Sequence, residues 1–533
     1  MKVGTSSSPT GNAVTLGQGT IVSRLLGFAR DASIAALLGG GWLADALLVA
    51  FRLPNIARAL LADGAFAYAL VPAYVSVKAT DPQRAWVFAR SITCSLFVFF
   101  GGIALLGALF SDHIAILLAP GFYGMPFLLE MASAFMALCL LALPFISGAA
   151  VSGAILMAEG HFRPPAYASA VFNAVILLSV GLAFVVFGTG GSHAPYMLCC
   201  GVLVAGMAQW GYQARYLRRL GFSLSGSVAF TDPALRHSLR ALPQSVFGVG
   251  GHHANVLLAT FFASFLAEGS ISSLYFAERL IGFPLGVIGA SMGLAALSDL
   301  SALATSFTSA PTATPEDIAS GKALFSERLA RASRIVLFFA LPATVGTACL
   351  ATPLTSAIFG YGEFGHTALA QTSLALLAYL VGLPALSLAR PLLAGLGALN
   401  DVKAPLWAAM AGFIAAGVLG ITSLWIQASW GPALAVSLAA WVTVAFLVRF
   451  LRKRGHDPLP GAVWTLKVLI ASGLMGACVL WMAGLWDSNF GKVAMIPVGV
   501  AVYFAAAFAV RLDECTLVLP MVRRTFFRRQ HPG

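Results

Sequence analysis

The 533-residue chain is 59% hydrophobic and only 10% charged, with a mean hydropathy of +0.87, which excludes a soluble globular domain and defines a polytopic membrane protein. A formal net charge of +12 would suit a nucleic-acid binder, but the Lys and Arg residues fall between apolar runs rather than among aromatics on a polar module, so no nucleic-acid partner is expected. Seven cysteines, mostly inside apolar runs and without metal-ligand spacing, read as small packing residues.

The N-terminal MKVGTSSSPTGNAVTLGQ lacks the basic region, short apolar core and cleavage site of a removable signal peptide. A spanning helix needs about 20 apolar residues. With that ruler fourteen spans are expected, at 16–38, 43–62, 86–110, 130–157, 167–188, 194–216, 240–266, 270–298, 328–350, 369–396, 404–425, 431–451, 463–485 and 492–511. Basic residues concentrate in the connections after even-numbered spans: Lys78 and Arg84, Arg163, Arg218 and Arg219, Lys322, Lys403, then Arg452, Lys453 and Arg454. The positive-inside rule therefore puts both termini in the cytoplasm.

The first two spans are unusual. Residues 21–75 are apolar enough to cross a membrane twice, yet they carry Arg24, Arg30, Asp31, Asp45, Arg52, Arg58 and Asp63. Each such charge costs about 2.5–3.5 kcal/mol near a helix centre, so the set needs partners, a water-filled cavity or an anionic ligand. Arg24 and Asp31 are seven residues apart, as are Asp45 and Arg52, which puts each pair on one helix face. Pro54 is expected to kink or break the second span and to re-aim Arg58. Glu278, Arg279 and the glycine-rich GFPLGVIGASMG (282–293) follow on the eighth span, and Arg390 precedes Pro391 on the tenth.

Self-comparison exposes a repeat. A shift of 227 residues lays AFRL (50–53) on AERL (277–280), Arg52 on Arg279; a shift of 240 lays Pro144 on Pro384, Arg163 on Lys403 and Pro165 on Pro405. The fold expected is an all-α membrane protein with about 14 transmembrane helices, two parallel six-helix repeats and two C-terminal helices. The domains are 1–225, 226–455, and 456–533 with its basic tail RRTFFRR (523–529).

No metal-ligand cluster, nucleophile elbow, phosphate-binding glycine loop or paired catalytic carboxylates stands out, so neither catalysis nor a cofactor is expected. Arginine excess on paired helices of both repeats suits an anion, and the planar guanidinium fork suits phosphate oxygens.

SRLLGFARD (23–31), ADALLVAFRLPNIARALLADGAFAYALVP (44–72), APGF (119–122), ASFLAEGSISSLYFAERLIGFPLGVIG (263–289) and NDVKAP (400–405) together resemble the MurJ/MviN family. Those proteins are lipid II flippases of the multidrug/oligosaccharidyl-lipid/polysaccharide exporter superfamily. The resemblance implies alternating-access transport of lipid II, the undecaprenyl-pyrophosphate-linked peptidoglycan precursor, between leaflets of the bacterial inner membrane, and hence a role in cell wall and cell shape. It implies substrate-binding roles for Arg24, Arg30, Asp45, Arg58 and Arg279, with Asp31, Arg52, Asp63, Glu278 and Arg390 as supporting cavity residues. Arg52 replaces the family's usual Lys and Asp63 its usual Glu. Gly282, AALSDLS (295–301) and AGLGA (394–398) depart from the family pattern. Lipid II and membrane lipids are the implied ligands; peptidoglycan-synthesis or division proteins are candidate partners, and a coupling cation stays unidentified. The rivals are an exporter of another lipid-linked oligosaccharide and a membrane-embedded enzyme acting on polyprenyl-pyrophosphate sugars.

Overall fold

A computed structural model describes residues 9–62, 65–308, 314–401 and 403–515. Asp63 and the basic tail lie outside the described residues, which contain helices and a single short 3-10 turn at Pro120–Gly124 but no strand. Ten helical stretches are long and apolar enough to cross a membrane, and each coincides with an expected span. The other four expected spans, at 16–38, 43–62, 240–266 and 270–298, fall on α1 (Pro9–Leu38), α2 (Trp42–Ala62), α10 (Pro233–Ala263) and α11 (Ser270–Thr308).

The chain forms two compact units. The first runs through Ser272 and takes in Phe359–Ala368; the second comprises Ser273–Ile358 and the chain from Leu369. Besides α1, α2 and α10, the first unit contains α3 (Ala65–Thr80), α4 (Pro82–Leu109), α5 (Ser111–Leu118), α6 (Pro126–Leu140), α7 (Leu143–Ala158), α8 (Arg163–Phe187) and α9 (Ala194–Arg219). Within it α8 packs between α1 and α9, and α2 packs on α6. The α4 face bearing Val98, Phe99, Leu105 and Leu106 is exposed, the outer surface a helix presents to hydrocarbon. Of the kink or break expected at Pro54, the break does not occur: α2 continues through the proline to Ala62, as membrane helices allow when neighbours serve the freed carbonyl.

The second unit holds most of α11, then α12 (Pro315–Cys349), most of α13 (Ala351–Phe359) and of α14 (His366–Leu380), and α15 (Leu383–Ala398), α16 (Lys403–Ile426), α17 (Gly431–Lys453), α18 (Ala462–Ala483), α19 (Asn489–Val493) and α20 (Ile496–Ala509). One core gathers Phe325, Leu329, Leu388, Leu392 and Leu447. A second joins α18 and α20 to α12 around Phe338, Met475 and Tyr503, where the Tyr503 hydroxyl donates to the Phe338 carbonyl at 2.6 Å. In the departing AGLGA stretch, a Cβ at Gly395 would stand 3.1 Å from Leu329, so the small residue there lets α15 approach α12.

The repeat extends to individual hydrogen bonds. The expected spans at 130–157 and 369–396 are each two helices, and the second of each pair opens on Leu143–Pro144 or Leu383–Pro384. Proline fits there because the first turn of a helix needs no N–H donor. Both helices end in the same cap: Gly160 and His161 donate to the Met157 and Leu156 carbonyls, and Asn400 and Asp401 to those of Gly397 and Leu396. Gly160 (φ 79°) and Asn400 (φ 55°) take the left-handed conformation this cap requires.

Candidate functional site

In the first unit the site is built on the seam between α1 and α8. α1 packs along α8 with Gly27 beside the Asn173 side chain, where a Cβ would make an ordinary contact with the amide nitrogen at 3.4 Å. That brings the Asn173 carboxamide to α1, where it donates to the Ser23 carbonyl at 2.9 Å and accepts from Arg30 Nη1 at 3.0 Å. Arg30 Nε and Nη2 donate to Asp31 Oδ1 at 2.8 and 2.7 Å. Arg30 and Asp31 are 4% and 2% exposed, a buried ion pair with a third group serving the guanidinium. The helical face shared by Arg24 and Asp31 therefore does not decide Asp31's partner. Its neighbour Arg30 folds sideways onto it, and Arg24 remains half-buried on α1.

Phe172, the residue before Asn173, receives the second arginine. The Arg58 guanidinium lies 5.6 Å from the Phe172 ring centroid, within cation–π range. One stretch of α8 thus holds both Arg30 and Arg58. Arg52 is buried on α2 at 5% exposure.

Asp45 lies apart from these. It is thirteen residues from Arg58 along α2, about 20 Å of helix. Its Oδ2 accepts from the Gly269 N–H at 2.8 Å and its Oδ1 from the Ser272 N–H at 2.7 Å. A carboxylate on the first turn of a helix serves unsatisfied N–H groups and the positive end of the dipole, so in this structure Asp45 caps α11. Close by, the Trp42 N–H donates to Glu268 Oε1 at 2.9 Å. Gly121, in the APGF element, donates to Ser264 Oγ at 3.0 Å, and a Cβ there would collide with the Ser264 carbonyl.

In the second unit Arg279 Nη2 donates to Tyr275 Oη at 3.1 Å, and its guanidinium stands 4.6 Å from that ring's centroid. The two are four residues apart, so one helix face supplies both. Glu278 and Arg390 are half-buried, on α11 and α15.

Sequence reasoning did not find Asn173, Phe172 or Tyr275. A lone amide in the apolar run YASAVFNAVILL (167–178) was the available signal, because an unpaired carboxamide is costly in hydrocarbon. Two polar groups at the basic ends of helices were also missed. Lys78 Nζ reaches both Glu159 oxygens at 2.7 Å, with the Tyr74 hydroxyl donating to Oε1 at 2.7 Å. Arg84 holds Asp232 through two 3.2 Å bonds. Burial alone would raise the Asp232 carboxyl, but the Arg84 and Ala234 N–H donors outweigh it and hold the group below the usual carboxylate range.

Helical stretches apolar enough to cross a membrane, buried arginines on α1 and α2 and an apolar outer face define a multi-pass membrane protein, and its fold is similar to that of a solved structure described as the inward-facing conformation of a multidrug resistance MATE family transporter of the MOP superfamily. That structure aligns with a TM-score of 0.55 at 16% identity, covering 83% of this chain and 98% of its own. The solved lipid II flippase MurJ in its inward closed conformation aligns more fully, with a TM-score of 0.77 at 23% identity over 93% of this chain and 98% of that one. A family model described as lipid II flippase MurJ matches residues 34–501, and the chain belongs to that family. Curated relatives described as probable lipid II flippase MurJ include those of Vibrio cholerae, 29% identical over 91% of this chain and 93% of the relative, and Rhizobium tropici, 29% identical over 97% and 96%.

Proposed function

We infer that the chain is a lipid II flippase, a transporter and not an enzyme, embedded as a multi-pass protein in the bacterial inner membrane. The observation that carries this reading is the family match over residues 34–501, and the charges buried on α1 and α2 support it. The lipid carries a pyrophosphate and a sugar–peptide headgroup whose passage through hydrocarbon would strip water from charges and polar groups at several kcal/mol each. Fixed guanidinium donors lower that cost. Arg24, Arg52, Arg58, Arg279 and Arg390 are the residues proposed to meet the headgroup. Arg30 and Asp45, whose hydrogen bonds are spent on Asp31 and Asn173 and on the start of α11, are proposed to act by positioning α1 and α11. Transport by alternating access with both termini in the cytoplasm completes the proposal.

The test is reconstitution into vesicles carrying fluorescent lipid II, with headgroup exposure in the opposite leaflet read by an impermeant quencher. Wild-type protein is expected to move the headgroup. Arg58→Ala and Arg279→Ala are expected to lose at least tenfold in rate, as for a buried charged contact worth about 1.5–3 kcal/mol. Arg58→Lys, which keeps charge but not the planar fork, should recover only part. Chemical conversion of the lipid, or wild-type rates in both alanine variants, would overturn the assignment.

A further inference from the structure

The second unit carries a groove on its outer face that the transport reading does not use. It has a volume of about 1080 Å³ and lies along α17, with Leu388 of α15 in its wall and Trp441, Ala445, Arg449, Arg452 and Lys453 along its length. Its chemistry is divided. From Trp441 to Val448 the α17 lining is apolar, and the last turns supply three cations. Arg449, Arg452 and Lys453 are three and four residues apart and so share one helix face. Arg452 pairs with exposed Asp457 at 3.1 Å, and no carboxylate is among the groove's described lining residues.

The dimensions fit one leaflet. Twelve residues separate Trp441 from Lys453, about 18 Å of helix, against about 15 Å for half of a hydrocarbon core. The basic end is the one that the positive-inside rule puts in the cytoplasm. An anionic headgroup at the surface and an acyl chain running to mid-membrane would meet the cations and the apolar wall in that order.

We propose that this groove is a binding site for an anionic phospholipid of the cytoplasmic leaflet, its phosphate between Arg449 and Lys453 and one acyl chain along Trp441, Ala445 and Leu388. Zwitterionic lipid offers the same chain but a headgroup without net charge, so the site discriminates by charge. Basic pockets between membrane helices bind anionic headgroups by this logic. Leu388 lies two residues before Arg390 on α15, so an occupied groove braces the helix that carries that arginine. The proposal rests on the membrane orientation given above and not on the transported substrate.

The full-length protein is placed in nanodiscs of phosphatidylcholine doped with phosphatidylglycerol, and lipid that stays bound after transfer to detergent is weighed by native mass spectrometry. Wild type is expected to retain phosphatidylglycerol in preference to phosphatidylcholine. Arg449→Gln/Lys453→Gln should reduce that preference roughly tenfold or more, since two cations near the surface are removed. Ala445→Trp fills the exposed chain seat without touching the charges and should also release the lipid. Arg218→Gln/Arg219→Gln, at the basic end of α9, should leave retention unchanged. The proposal falls if phosphatidylcholine is held equally well, if neither groove variant alters retention, or if the α9 variant loses as much as the groove variant. Because the readout is bound phospholipid, these failures do not bear on lipid II movement.

Discussion

A buried arginine beside a buried aspartate is costly to desolvate, and it persists in a membrane helix only when its hydrogen-bonding groups are served. In the Arg30–Asp31 pair, Asn173 supplies that service. Arg30→Met removes the guanidinium that donates twice to the buried Asp31 carboxylate and is expected to destabilise the protein by about 3–5 kcal/mol, read as a lowered melting temperature in detergent. Arg30→Met/Asp31→Leu should regain most of the loss, because removing both charges abolishes the penalty. A double variant no more stable than the single would show that the pair is not the cause. His456 makes a second, pH-dependent case. It is 2% exposed, its ring centroid is 4.7 Å from that of Phe325, and its Nδ1 is 2.8 Å from Ser326 Oγ, whose hydroxyl donates to the Lys322 carbonyl. Burial, then the charges of Lys322 and Arg454, push the imidazole below its ordinary 6.5. Above that value both folded and unfolded states are neutral and the contribution is complete. As pH falls through it the unfolded chain takes up the proton first, so stability is lost on acidification. Thermal melts between about pH 7.5 and 5.5 are expected to show this decline, and His456→Gln to flatten it. An unchanged slope in the variant would assign the decline to other groups.

Helix ends carry the information at the next scale. Asp45 satisfies the N–H groups of Gly269, just before α11, and of Ser272 in its first turn, and each buried N–H left without an acceptor costs about 1–3 kcal/mol. Asp45→Ala should therefore lower the melting temperature clearly, and Asp45→Asn, which keeps one acceptor oxygen, by less. Equal melting of wild type and Asp45→Ala would remove the capping role. Gly121→Ala forces a methyl group against the Ser264 carbonyl and is expected to cost about 1–3 kcal/mol through displaced backbone. The sequence announced these ends unevenly. Pro144 and Pro384, 240 residues apart, were visible as a repeat before either was known to open a helix, because proline restricts φ wherever it occurs. The partners of Asp45 were not visible. They are backbone groups 224 and 227 residues away, and no side chain marks a backbone N–H as an acceptor's target. For the same reason Asp45 could be read as facing a ligand, whereas its carboxylate faces the protein's own backbone.

For the molecule as a whole, hydropathy marked the ten helical stretches long and apolar enough to cross a membrane, since each must satisfy its backbone internally to lie in lipid. It marked neither α3 nor α5 nor the division of the spans at 130–157 and 369–396 into two helices each. The orientation proposed from charge in the connections can be checked directly. In a cysteine-free background, Ser192→Cys, between α8 and α9, is expected to react with an impermeant maleimide in intact cells, and Ser223→Cys, after α9, only once the membrane is opened. The reverse pattern would invert the topology. Unit boundaries were less legible. Phe359–Ala368 belongs with the first unit, and nothing in a Gly- and Phe-containing connection announces that. The Glu363 N–H donates to the Ala36 carbonyl at 3.0 Å, and Gly362 holds a positive φ of 59° beside it. The consequence is temporal. A ribosome adding about 5–20 residues per second finishes α1 long before it makes Glu363, so the end of α1 waits roughly 15–65 seconds for its last hydrogen bond. Throughout that interval the nascent first unit has an open edge, which makes it the natural client of whatever shields unfinished membrane proteins during insertion.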